Sequence, residues 1–139
     1  MSQRSEVRAF YGVMGVLLLI PAVAGLVGAF GGISGMSQLF GAAPEHSVHP
    51  VISNNFHAVC FAFFSWVPLL VWSLQSLADR AAVFRIIVGC AFLTGFARLT
   101  GWLVEGYPGA IPAILMGLEL TGMPALLLWH GRLVRLARQ

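Results

Sequence analysis

Arg98 and Glu119 are the residues of this chain whose types and placement promise chemistry. Each lies inside an apolar run: AVFRIIVGCAFLTGFARLTGWLV from Ala82 to Val104, with only Arg85 charged besides, and AIPAILMGLELTGMPALLL from Ala110 to Leu128. A charge near the centre of a bilayer costs about 2.5–3.5 kcal/mol on insertion scales, so such groups turn inward and find partners. Opposite charges on consecutive apolar runs therefore predict a paired intramembrane polar site. In the first run Cys90, Thr94, Arg98, Gly101 and Glu105 recur every three or four residues, which puts them on one face of a helix. Arg98 stands about 10 Å from Glu105 at 1.5 Å per residue, and Glu119 about 15 Å beyond Gly109, a difference the two side chains can span. Asn54 and Asn55 are expected to cap the start of the preceding helix, with His57 just inside it. Asn54, Asn55, His57, Arg98, Trp102, Glu105 and Glu119 are thus the candidate lining of an outward-opening polar cleft. Such a pair has two uses, a clamp that fixes helix register or a site for a ligand or ion.

Other reactive patterns are weaker. Glu45, His46 and His49, with His57, have the residue types of a metal site. Metal binding requires ligands held about 2 Å from the ion with supporting hydrogen bonds, and neither a Cys pair nor an HExxH pattern accompanies them. They read as solvated loop residues, and no metal or cofactor is expected. Cys60 and Cys90 fall inside apolar runs and read as small buried side chains rather than a disulfide. The sequence holds no Ser–His–Asp set, CxxC or P-loop. No catalytic residue is assigned, and the enzyme reading is disfavoured.

The elements that position these residues follow from composition. Hydrophobic residues make up 58% of the 139 residues and charged residues 9%, against about 25% charged in a soluble domain. A membrane span takes about 20 residues, so the chain accommodates four. The runs are continuous rather than alternating, and in lipid only helices or closed barrels satisfy their own backbone. The expected fold is all-α: one integral membrane four-helix bundle over 1–139, with transmembrane helices at about 9–30, 54–77, 82–104 and 109–131. Arg4 and Arg8 before the first span have the form of a signal peptide, but the uncharged stretch to Pro44 is longer than a signal core and reads as a retained helix.

Charge sets the orientation. Arg4, Arg8, Arg80, Arg85, Arg132, Arg135 and Arg138 all fall at one set of span ends, while 31–53 and the Glu105–Pro108 turn carry no Lys or Arg. By the positive-inside rule both termini are cytoplasmic and the protein sits in the cytoplasmic (inner) membrane. Trp102 and Tyr107 mark the outer boundary, and Tyr11, Trp72 and Trp129 the inner one. Arginines placed this way are topology signals, and no basic face with interleaved aromatics exists for nucleic acid.

Small residues indicate how helices meet. Ala24, Gly28 and Gly32 recur every four residues, a stripe that admits a neighbouring backbone and that could seat a membrane protein partner or a second copy of the chain. Pro21, Pro68, Pro112 and Pro124 place kinks within helices. The stretch ISGMSQLFG after the first span is expected to form one or two separate turns at the interface.

The stretch GCAFLTGFARLTGWLVEGYPGAIPAILMGLELTGMPALLL resembles a widespread bacterial family of small four-span proteins, domain of unknown function 4345. The family's G-x-A-R-L segment falls on Gly95 to Leu99, its acidic-Gly-x-Pro turn on Glu105, Gly106 and Pro108, and its last-helix glutamate on Glu119. In its second helix the family shows an Asn followed by an Arg, where this chain has NNFH with His57 in the place of the Arg. The resemblance implies the four-span fold and brings no activity with it.

Two functional readings follow, with a third behind them. The first is an accessory or interaction subunit of a membrane complex, consistent with the small size and the glycine stripe. The alternative is a binder or transporter of a small or lipophilic molecule through the Arg98/Glu119 cleft, although no internal repeat of the transporter kind is visible. The third is a membrane enzyme of the four-span glutathione-using class, whose polar residues gather at cytoplasmic helix ends, whereas this stripe lies in the outer half.

Overall fold

The computed structural model describes residues 3–40 and 50–138, all of whose regular structure is helical. Four helices are long and apolar enough to cross a membrane: Arg4–Leu39, Ile52–Leu74, Ala81–Glu105 and Ala110–Ala137. The chain forms two compact units, Met1–Leu69 and Leu70–Gln139. Glu45, His46 and His49 lie outside the described residues.

In the first unit, helix α1 (Gln3–Leu39) breaks at Gly32, with φ 60° and ψ −155°. That backbone region belongs essentially to glycine. Beyond the break the chain turns back on itself. Positions 28 and 36 of a straight helix stand about 12 Å apart, yet Met36 Cγ comes within 3.3 Å of where a Gly28 Cβ would be. Likewise a Gly35 Cβ would lie 3.3 Å from the Val27 carbonyl oxygen. The straight run of α1 therefore ends at Gly32, and ISGMSQL continues as a helical return.

Helix α2 (Pro50–Leu74) begins four residues earlier than expected. Pro50 explains the shift, because proline's fixed φ suits a helix's first position, where its missing N–H is not needed. Asn54 and Asn55 consequently sit within α2, both exposed, and do not cap it. The two helices run antiparallel. A Cβ at Gly25 would lie 2.9 Å from Phe64 Cβ, one at Gly28 would overlap the Cys60 sulfur, and one at Gly32 would lie 2.9 Å from His57 Nε2. The small-residue stripe is thus Gly25, Gly28 and Gly32, with Gly25 in place of Ala24, and α2 of the same chain occupies it. It is not open to a second chain, which corrects its expected use as a partner surface. Phe30 and Phe61 add an edge-on ring contact at 5.4 Å.

In the second unit, α3 (Ala81–Glu105) packs against a fourth long helix built of three parts: α4 (Ala110–Gly117), a π-helical turn (Leu118–Gly122) and α5 (Met123–Ala137). Gly106 and Gly109, at φ 97° and 95°, make the tight turn that joins them, conformations that L side chains rarely adopt. The turn before α3 is tied by Arg80, whose guanidinium donates to the Trp72 carbonyl at 2.7 Å and to Gln75 Oε1 at 2.8 Å and lies 4.3 Å over the Trp72 ring. This arginine serves the turn as well as the charge bias. Both thiols are free, Cys60 filling the groove at Gly28.

Candidate functional site

Pro124 starts the site. It has no N–H to offer the Leu120 carbonyl four residues back, and its ring crowds that carbonyl. The helix widens instead: the Met123 N–H bonds the Leu118 carbonyl, five residues back, and the π turn results. Such turns insert one residue into a helix and frequently accompany functional positions. Here the inserted turn carries Glu119, which is buried.

Gly95 of α3 lets this widened turn approach. A Cβ there would stand 2.9 Å from both Cγ and Cδ2 of Leu120 and 3.0 Å from Cβ of Glu119. One turn further along α3, Arg98 Nε donates to Glu119 Oε2 at 2.9 Å, the pair expected from the sequence. The contact is a single hydrogen bond through Nε: one nitrogen meets one oxygen. Among the described residues Arg98 makes no other side-chain hydrogen bond, so both terminal amino groups remain uncommitted, as does Glu119 Oε1. The Arg98 side chain is 34% exposed and that of Glu119 11%.

The neighbouring hydroxyls are engaged elsewhere. Thr94 donates to the Ala91 carbonyl at 2.7 Å, Thr100 to Phe96 at 2.9 Å and Thr121 to Gly117 at 2.7 Å. Glu105 ends α3 exposed and makes no ion pair with a described residue. Trp102, half-buried, meets the Tyr107 ring at 5.5 Å. A Cβ at Gly101 would meet nothing within 4 Å. The face of α3 beyond Arg98 is therefore open at Gly101.

The other candidates belong to the first unit. Asn54 and Asn55 are exposed on α2. His57 Nδ1 lies 2.6 Å from the Ala29 carbonyl oxygen and donates to it. The helical partner of that carbonyl would be the N–H of Ile33, past the break at Gly32, so His57 replaces a bond that the turn removes.

The family described as "Domain of unknown function (DUF4345)" matches residues 12–130. The chain belongs to this family. The DUF4345 match takes in Gly95, Arg98, the π turn with Glu119, and His57 with the glycines it faces. No curated protein and no solved structure matches the chain.

Among the described residues, two buried ionisable side chains escaped the sequence reading. His130 is fully buried and stacks on Phe84, also fully buried, with ring centroids 4.2 Å apart and an interplanar angle of 21°. Glu6 is buried in the first turn of α1, where the helix dipole favours a carboxylate. A signal existed for His130: it is a histidine in an apolar segment, two residues before Arg132. For Glu6 there was none, since it sits among charges at a helix start.

Proposed function

We propose that this chain is a small multi-pass protein of the cytoplasmic membrane that binds a small or lipophilic molecule at Arg98 and Glu119. In this reading both termini are cytoplasmic and the Glu105–Pro108 turn lies outside, an orientation that the arginine distribution supports. The observation that carries the reading is the single hydrogen bond, through Nε, that joins the pair. A clamp whose only task is to fix register would use the guanidinium fork fully, because an unpaired polar group at membrane depth is costly. This one leaves two amino groups and a carboxylate oxygen free on side chains that remain partly exposed. A ligand is the natural partner for them, and the π turn and Gly95 are what hold Glu119 at the necessary distance.

Native mass spectrometry of the protein extracted gently from its membrane tests this reading. A retained small molecule is expected for the wild type and not for Arg98→Gln. A stoichiometric protein partner with no small molecule would overturn it in favour of an accessory subunit.

A further inference from the structure

We infer that the molecule held at Arg98 and Glu119 carries a dipolar headgroup, a phosphodiester oxyanion with a protonated primary amine beside it, the chemistry of a phosphoethanolamine diester. The inference rests on the binding reading above and specifies its ligand. The charges of Arg98 and Glu119 cancel, so a simple anion would leave the site net negative and a simple cation net positive. Either is unfavourable where the surroundings are apolar. A zwitterion keeps the sum at zero.

The free atoms have matching chemistry. With Nε taken by Glu119, the two terminal amino groups of Arg98 form the remaining edge of the guanidinium. That edge offers parallel N–H donors, which suit two oxygens of one phosphate. Beside it Glu119 Oε1 is an acceptor with no partner among the described residues, able to take an ammonium N–H. The Thr94, Thr100 and Thr121 hydroxyls are bonded to backbone carbonyls and do not compete.

Depth and room agree with a headgroup. Arg98 lies four residues from Trp102, about 6 Å along the helix, and Trp102 packs on Tyr107 in the aromatic pair expected of an interface. A guanidinium at that depth reaches toward the interface, or draws a headgroup down by local thinning. Gly101 stands between the two levels on the Arg98 face, with empty space where its side chain would be.

The full chain in nanodiscs tests this by native mass spectrometry, with phosphatidylethanolamine, phosphatidylcholine or phosphatidylglycerol doped singly into the bilayer, and soluble glycerophosphoethanolamine, a phosphodiester of the same net charge as the lipid head, as a separate arm. Phosphatidylcholine has no N–H on its cation and phosphatidylglycerol has no amine. Retention of phosphatidylethanolamine at least 10-fold above both others is expected. Arg98→Gln should remove the difference, and Gly101→Leu, whose Cβ would meet nothing within 4 Å, should reduce it in a chain that still folds. Glu119→Gln should shift preference toward phosphatidylglycerol. Competition by soluble glycerophosphoethanolamine assigns the free head as ligand; its failure to compete assigns the lipid. Equal retention of the three lipids by wild type, or a preference unmoved by Gly101→Leu and Arg98→Gln alike, overturns the inference. Arg98-dependent retention of phosphatidylglycerol overturns the dipolar assignment but leaves the binding site standing, whereas no Arg98-dependent retention of anything removes both.

Discussion

Gly95 lies directly beneath Glu119, so that any Cβ at position 95 would stand 3.0 Å from the Glu119 Cβ. The relationship explains why a residue with no side chain belongs to the site. The spacing between α3 and the π turn is set there, and Arg98 reaches Glu119 only because that spacing is small. Gly95→Ala is expected to push the turn outward, since one of the atoms it meets is a Cβ near the backbone rather than a mobile side-chain end. Overpacking of this kind costs about 1–3 kcal/mol. A lowered unfolding midpoint in micelles, together with weakened ligand retention, is the expected result; unchanged retention would separate Gly95 from the site.

Arg98 and Glu119 make a second, sharper case. Arg98→Leu leaves a carboxylate that is only 11% exposed without its partner. Removing one member of a buried pair costs about 3–5 kcal/mol, and the partial exposure of Arg98 brings the expectation to about 2–3 kcal/mol. Changing both to apolar residues should recover most of that stability, because the double variant leaves no orphaned charge. Ligand retention should remain lost. Denaturant titration of the single and double variants measures the first effect and mass spectrometry the second. A double variant no more stable than the singles would contradict direct pairing.

The pair itself was legible because a charge in an apolar run must find a partner, and the two runs are joined by a short turn. What positions it was less so. The π turn follows from Pro124 and Leu120, but a proline four residues after a carbonyl gives a kink, a widened turn or nothing, and the choice depends on Gly95 across the interface. The reversal at Gly32 is similar. Seven glycines between Gly12 and Gly35 permit a break at many places, and the contact that selects one, His57 with Ala29, joins residues 28 apart. Asn54 and Asn55 looked like caps from composition alone, and Pro50 displaced them.

The break at Gly32 has its own consequence. Gly32→Ala places a side chain at φ 60°, where strain of about 1–3 kcal/mol applies, and drives its Cβ to 2.9 Å from His57 Nε2. His57→Phe keeps the ring but loses the donor to Ala29, which costs about 1–3 kcal/mol for an orphaned carbonyl. Both should lower stability, and because they disturb the same contact the double variant should lose less than the sum. Additive losses would show that His57 does not support the break.

Topology admits a direct measurement. Reporter fusions after Gln139 and at Ala43 should report opposite sides of the membrane, with one inserted at Tyr107 agreeing with Ala43. The seven arginines at span ends predict it, and the same side for Gln139 and Tyr107 would contradict a four-span chain with cytoplasmic termini.

Pro124→Ala is the change that tests the π turn most cleanly. It restores an N–H to position 124, so the Leu120 carbonyl gains an ordinary helical partner, and it removes the ring that crowded that carbonyl. On helix propensity alone the substitution is favourable by up to about 3 kcal/mol. If proline is what maintains the wide turn, the segment closes to α-helix and loses its extra residue. Residues on one side of the turn then rotate by about 100° relative to the other, the angle per residue of a helix with 3.6 per turn. Glu119 would swing away from Arg98 while the helix itself became more stable. The expected signature is therefore a raised unfolding midpoint combined with lost ligand retention, a combination that simple damage to the fold does not produce. A variant that retains ligand as the wild type does would show that Gly95 and the Met123–Leu118 bond hold the turn without the proline.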